Sequence, residues 1–292
     1  VHPMQRSAAT GEISYSPEDI LLFRESPFAC WMERLTLENP DHGITPDTVV
    51  NAANANQYAR LSTRARVQAG GNHARGMPWQ EFIAAATTPS VAAVQHVHAK
   101  AQPLHAADAD DALSIARHAS EQQRTAHTLA AMQQGLRCIA NAQLTVGPLS
   151  CHVDLLLRVD GVSDLGSHLY LPCDTRGHLR RQRAFHLVFA ADLLSSLQGV
   201  LPPEMLVLLQ GEPIETLPTA EHILLFREVR KRFLASELAF RKHSMPDPAE
   251  SAHFGRWTRC AQDILKHRAA AALAARGTAV VRALDCAVGK TL

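Results

Sequence analysis

Lysine is scarce in this chain. Five lysines, at 100, 231, 242, 266 and 290, stand among 292 residues. Chemistry that needs a lysine amine near the middle of the sequence must therefore draw it from far along the chain. The six cysteines, at 30, 138, 151, 173, 260 and 286, form no C-x-x-C pair and no compact zinc or cluster spacing, so free thiols in a reducing cytoplasm are expected. No apolar run approaches the roughly 18 residues of a membrane span, and the polar opening VHPMQRSAATGE lacks the apolar stretch of a secretory signal. A cytoplasmic protein with no membrane partner is the expectation. With a formal net charge of +1, binding to a polyanion must come from a local patch.

Several reaction classes also lack their motifs. There is no Walker-type loop, no G-x-G-x-x-G after a strand, no G-x-S-x-G elbow and no H-E-x-x-H. Gly289-Lys290-Thr291 echoes a phosphate loop, but no glycine stands five residues before Gly289. Nucleotide hydrolysis, dinucleotide redox chemistry, serine hydrolysis and zincin proteolysis are unsupported.

What is present is a core-forming chain, 46% hydrophobic, with one informative stretch from Cys151 to Gly199. In CHVDLLLRVDG, Val153, Leu155 and Leu157 alternate with Asp154, Leu156 and Arg158, which predicts a strand with Asp154 facing away from Val153. In HLYLPCDTRG, a second strand ends at Asp174, with Arg176 on the same face and Cys173 turned toward the core. Two carboxylates from neighbouring strands are the arrangement that holds a hard divalent cation and leaves positions for water and a phosphate oxygen. The alternative is one exposed strand aspartate and another opening a turn before Gly177.

The rest of the chain supplies mostly helix. Residues 1–15 read as a loose tail. Ser16-Pro17-Glu18-Asp19 makes a helix start, and a second helix follows the Ser26-Pro27 break. Residues 51–68 and pieces of 79–101 read as helical, and His96 with His98 as a solvated segment. A helix is expected over Ala112 to Gln134, closed by Gly135. Strands are then expected at Cys138–Val146, Leu149–Val159 and His168–Asp174, a helix at Phe185–Leu197, a buried strand at Met205–Leu209, and helices at Ala220–His243 and Ser251–Arg276. These give a mixed α/β domain, with a sheet core at 137–211, a helical part at 16–136 packed on it and a helical part at 212–292 within the same domain.

The order helix, three strands, helix, strand, with acids on the second and third strands, resembles the core of the PD-(D/E)XK nucleases, a restriction-endonuclease-like fold, and most of all their RecB-like branch. CHVDLLLRV is similar to the GRADFLL-type strand, YLPCDTRG to the strand ending in DTK, and HLVFAADLLSSLQG to the helix bearing QxxxY. The resemblance implies metal-dependent cleavage of DNA, or of RNA, with magnesium or manganese held by Asp154 and Asp174. It puts Arg176 where the family has lysine, His186 where it has glutamine and Ala190 where it has tyrosine. An upstream Gly-x-x-His-Glu element aligns poorly near Asn54 to Tyr58, and the cysteines of an iron–sulfur cluster are missing as a set.

The changed residues have chemical consequences. A guanidinium stays charged and accepts no proton, so Arg176 can clamp phosphate or stabilise the transition state but cannot act as a base. His186, one turn into its helix, is a candidate metal ligand or acid/base, or else a histidine packed at a helix start. Arg180, Arg181 and Arg183 form a candidate track for a nucleic-acid backbone or a solvated face. The cluster Arg227, Arg230, Lys231, Arg232, Arg241 and Lys242 reads as solvated. Two readings stay open: a divergent metal-dependent DNA phosphodiesterase, and a nuclease fold that no longer cleaves and serves as a nucleic-acid-binding or protein-interaction module.

Overall fold

The computed structural model describes residues 4–6, 11–47, 112–175, 180–208 and 214–288, with backbone alone at 180–181 and 274–288. The chain divides into two compact units, Val1–Ile20 with Ser62–Ala235 and Leu21–Leu61 with Ser236–Leu292. The division differs from the expected one, because residues 21–47 and 236–273 share a small core of their own.

The first residues are not a loose tail throughout. Strands β1 (Gln5–Arg6) and β2 (Ile13–Ser14) pair antiparallel, and Met4 is buried. Asp19 is the cause. It sits in the first turn of helix α1 (Pro17–Glu25) and accepts hydrogen bonds from the Ser16 N–H at 2.8 Å, the Ser16 hydroxyl at 2.9 Å and the Met4 N–H at 2.9 Å. A buried carboxylate that satisfies three donors fixes the chain entering the helix. Ser26 caps helix α2 (Pro27–Glu38), accepting from the Ala29 N–H at 3.1 Å, with proline where its missing N–H costs nothing.

A six-stranded mixed sheet carries the first unit. Strand β3 (Ala112–Ser114) runs parallel to β4 (Cys138–Val146), which forms an antiparallel meander with β5 (Leu149–Ser163) and β6 (Gly166–Asp174). Strand β7 (Glu204–Val207) is parallel to β6, and β8 (Glu215–Pro218) closes the sheet antiparallel to β7. The helix expected from Ala112 starts only at Glu121, because Ala112–Ser114 pairs with Cys138–Ala140. Sheet pairing overrides local propensity there. Helix α3 (Glu121–Gln134) opens on a capping box of Ser120 and Gln123 and closes at Gly135, whose φ of 71° suits glycine.

Helix α4 (Arg180–Gln198) supplies the crossover that the parallel β6–β7 pairing requires, and it packs on β4, β5, β6 and β7. Helix α3 packs on β4. Helix α5 (Ala220–Leu238) follows β8 and gives Phe226 to a T-shaped pair with Phe185 and another with Phe189. Two of its arginines correct an expectation. Arg227 and Arg230 do not lie on a merely solvated face but pair with the buried carboxylate of Asp192 on α4, Arg227 at 2.8 Å.

Period-two alternation gives the meander its two characters. Cys138, Ala140, Leu155, Leu157, Leu169, Leu171 and Cys173 form one apolar face, continued by Leu206 and Leu208. The other face is closed near the end of α3, where the Tyr170 hydroxyl donates to the Leu136 carbonyl at 2.6 Å. Farther along β5 this face turns polar, as Leu156 gives way to Asp154, His152 and Ser150.

In the second unit, Phe28, Met32, Leu35, Trp257 and Ala261 pack α2 against helix α6 (Thr258–Val288) and the 3-10 turn Gly255–Trp257. Glu33 is buried there and accepts from Arg256 at 2.7 and 2.5 Å and from the Trp257 indole at 2.9 Å. Among the described residues, no helix is long and apolar enough to cross a membrane.

Candidate functional site

Asp154 and Asp174 line the same cleft. Leu155 pairs with Cys173 across β5 and β6, and one step further in the same register Asp154 stands opposite Asp174. Directly opposed residues share a face and bring their Cβ atoms within about 5 Å. Both aspartates line a cleft of about 360 Å³. The backbone of Asp174 is fixed at the sheet's centre, since its carbonyl accepts from the Leu208 N–H at 2.8 Å. Asp154 Oδ2 accepts from the Thr175 N–H at 3.1 Å and the Thr175 hydroxyl at 3.3 Å.

Two histidines stand by carboxylates in the same cleft. His186, from the second turn of α4, places Nε2 3.5 Å from Glu18 Oε1 of α1. That ion pair is with Glu18 and not with either aspartate of the pair. His152 donates from Nδ1 to the Ala142 carbonyl at 3.1 Å, which turns Nε2 toward Asp154 Oδ1 at 3.7 Å.

The arginines divide. Arg183 is buried and lies 3.3 Å from Asp174 Oδ2 and 3.4 Å from Glu215 Oε2 of β8. That placement corrects its assignment to a nucleic-acid track, because a buried guanidinium joining two carboxylates is not presented to a backbone. Arg176 lies outside the described residues, as do His96, His98 and the stretch near Asn54 to Tyr58. Arg180 and Arg181 fall in the first turn of α4, described by backbone alone.

The cleft also contains groups that the sequence reading passed over as site residues: Glu18, Asp19, Glu121, Arg124, Gln143 and Ser150. Burial pushes the Asp19 carboxyl above the usual 3.8 despite its three hydrogen bonds. Ser150 and Gln143 carry a legible signal. They share the Asp154 face, Ser150 by spacing of two along β5 and Gln143 by pairing with His152. Glu18 and Glu121 carry none beyond standing in the first turns of their helices, the usual place for an acid.

A divalent cation fits this donor set within limits. Two opposed carboxylates supply hard oxygen ligands, and magnesium commonly takes one or two carboxylates and keeps several waters. Among the described residues, no three His, Cys, Asp or Glu side chains are grouped to hold a metal by themselves. The Cys173 thiol belongs to the apolar face, and burial raises it well above the usual 9.0, which leaves it protonated and inert. Cys138 is likewise pushed up to about 12.

Compared with known proteins, this chain matches no family model and no curated protein.

Proposed function

We propose that the chain is a divergent, metal-dependent phosphodiesterase that acts on DNA, built on the PD-(D/E)XK plan. The observation that carries the reading is the opposition of Asp154 and Asp174 at the end of an antiparallel meander, inside a cleft that also contains Glu18 and Glu121. An acidic cleft of this kind attracts cations and repels phosphate until a cation is bound. The element order from α3 through the meander, α4 and β7 supports the same reading, since it is the order the resemblance implies.

In this proposal Asp154 and Asp174 hold magnesium or manganese, which when bound polarises the phosphodiester and acidifies water. Thr175 keeps Asp154 oriented with two hydrogen bonds to Oδ2. His186 takes the proton of the attacking water, a role that a guanidinium at 176 cannot fill, and Glu18 holds its imidazole. Arg183 offsets negative charge at Asp174.

A specific observation favours a second reading, a nuclease fold that binds nucleic acid or protein without cutting. Arg183 already provides a positive charge at Asp174, the place a cation would take. Cleavage of labelled single- and double-stranded DNA and of RNA in magnesium and in manganese separates the two readings. Cutting by the native protein that Asp154→Asn abolishes supports the enzyme. Absence of cutting on every substrate contradicts it and leaves the binding module.

A further inference from the structure

At the far end of the cleft, four residues form a directed hydrogen-bond chain. Ser150 donates its one hydroxyl hydrogen to Glu121 Oε1, since a carboxylate oxygen only accepts. Its oxygen can then only accept, so Gln143 presents Nε2 to it, at 2.8 Å. Thr145 supplies a second donor at 3.1 Å. These donations fix the Gln143 amide, with Oε1 turned away from Ser150. That Oε1 is buried and has no hydrogen-bond partner among the described residues, in a side chain 5% exposed. Arg124 lies one helical turn after Glu121 on the same face of α3, and its Nε–H is likewise buried without a partner.

A buried acceptor and a buried donor left without partners, on two residues that line one cleft, destabilise the protein unless a bound group completes them. A phosphate presents acceptors only and cannot serve Gln143. The edge of a nucleobase presents an N–H donor beside a ring or carbonyl acceptor, in one plane. We propose that Arg124 and Gln143 form a subsite for a nucleobase edge, with the base acceptor taking the Arg124 N–H and its N–H donating to Gln143 Oε1. Ser150 is four residues from Asp154 along β5, about 13 Å at strand rise, so the base read belongs to a nucleotide beside the scissile phosphate. The inference rests on the phosphodiesterase reading and adds a base contact to it.

The test is fluorescence anisotropy with a short labelled single-stranded DNA and with the same backbone made abasic, both in calcium, a hard cation that takes oxygen ligands. Native protein is compared with Gln143→Leu and with Arg124→Met, each checked by thermal unfolding. Arg124 is half-buried, and its replacement keeps the stem that packs, so it reports even where the core variant folds poorly. The expected result is about tenfold tighter binding of the base-bearing strand, a ratio each variant brings close to one. A ratio that the variants leave intact overturns the subsite alone and assigns both atoms to bound water. No binding of either strand by the native protein overturns the subsite and the phosphodiesterase reading together.

Discussion

The guanidinium of Arg183 lies 3.3 Å from the carboxylate of Asp174, and both side chains are buried. A buried pair broken by removing one partner leaves the other charge uncompensated, at a cost of about 3–5 kcal/mol. Arg183→Met therefore lowers the melting temperature in metal-free buffer. If a cation can occupy the site, magnesium restores more of the lost stability in the variant than it adds to the native protein. Thermal unfolding with and without magnesium checks this, and equal magnesium effects in the two proteins contradict it.

The capping box at Ser120 positions Glu121 as well as starting α3. Ser120→Ala removes the acceptor for the Gln123 N–H and costs about 1 kcal/mol. Denaturant unfolding should show that loss with an unchanged slope. A neutral result would mean that α3 is held by its packing on β4 alone.

Glu33 gathers the Arg256 guanidinium and the Trp257 indole N–H inside the second unit. Glu33→Ala leaves a buried donor unpaired and a cavity beside Trp257, so a loss of about 3 kcal/mol is expected. Glu33→Gln keeps an acceptor for the indole and loses less. Equal losses for the two variants would assign the effect to packing rather than to hydrogen bonding.

Glu25 gives the second unit an acid-sensitive contact. His253 Nε2 lies 3.2 Å from Glu25 Oε2, and this hydrogen bond, aided by Arg24, holds the Glu25 carboxyl below its ordinary 4.5. A carboxyl whose folded pKa is depressed contributes stability above its unfolded value and loses it as pH falls through the folded value. Stability should thus decline with acid below about pH 4.5, and less steeply in His253→Ala. Unfolding curves from about pH 6 to about pH 3 measure the difference.

Much of this was legible in the sequence where one period dominates. The alternation in CHVDLLLRV and HLYLPCD marks β5 and β6 and sets each aspartate opposite its own strand's apolar residues, while the relation between the two aspartates comes from the strand register, which the sequence does not encode. Ser16-Pro17 and Ser26-Pro27 mark the first two helices because capping chemistry is local. What local chemistry does not encode was missed. β3 and β8 are short strands defined by their partners, and Ala112–Ser114 reads as helix in isolation. Glu18 and Glu121 reach the cleft only through helix placement, and Arg183 turns inward to Asp174 where a run of arginines suggests an exposed track.

Calorimetric titration of magnesium and manganese tests the central claim most directly, comparing the native protein with Asp154→Ala plus Asp174→Ala. The phosphodiesterase account predicts saturable binding of at least one of the two metals by the native protein and none by the double variant. No binding by the native protein, or binding that survives loss of both aspartates, would contradict the assignment of the opposed pair as a metal site.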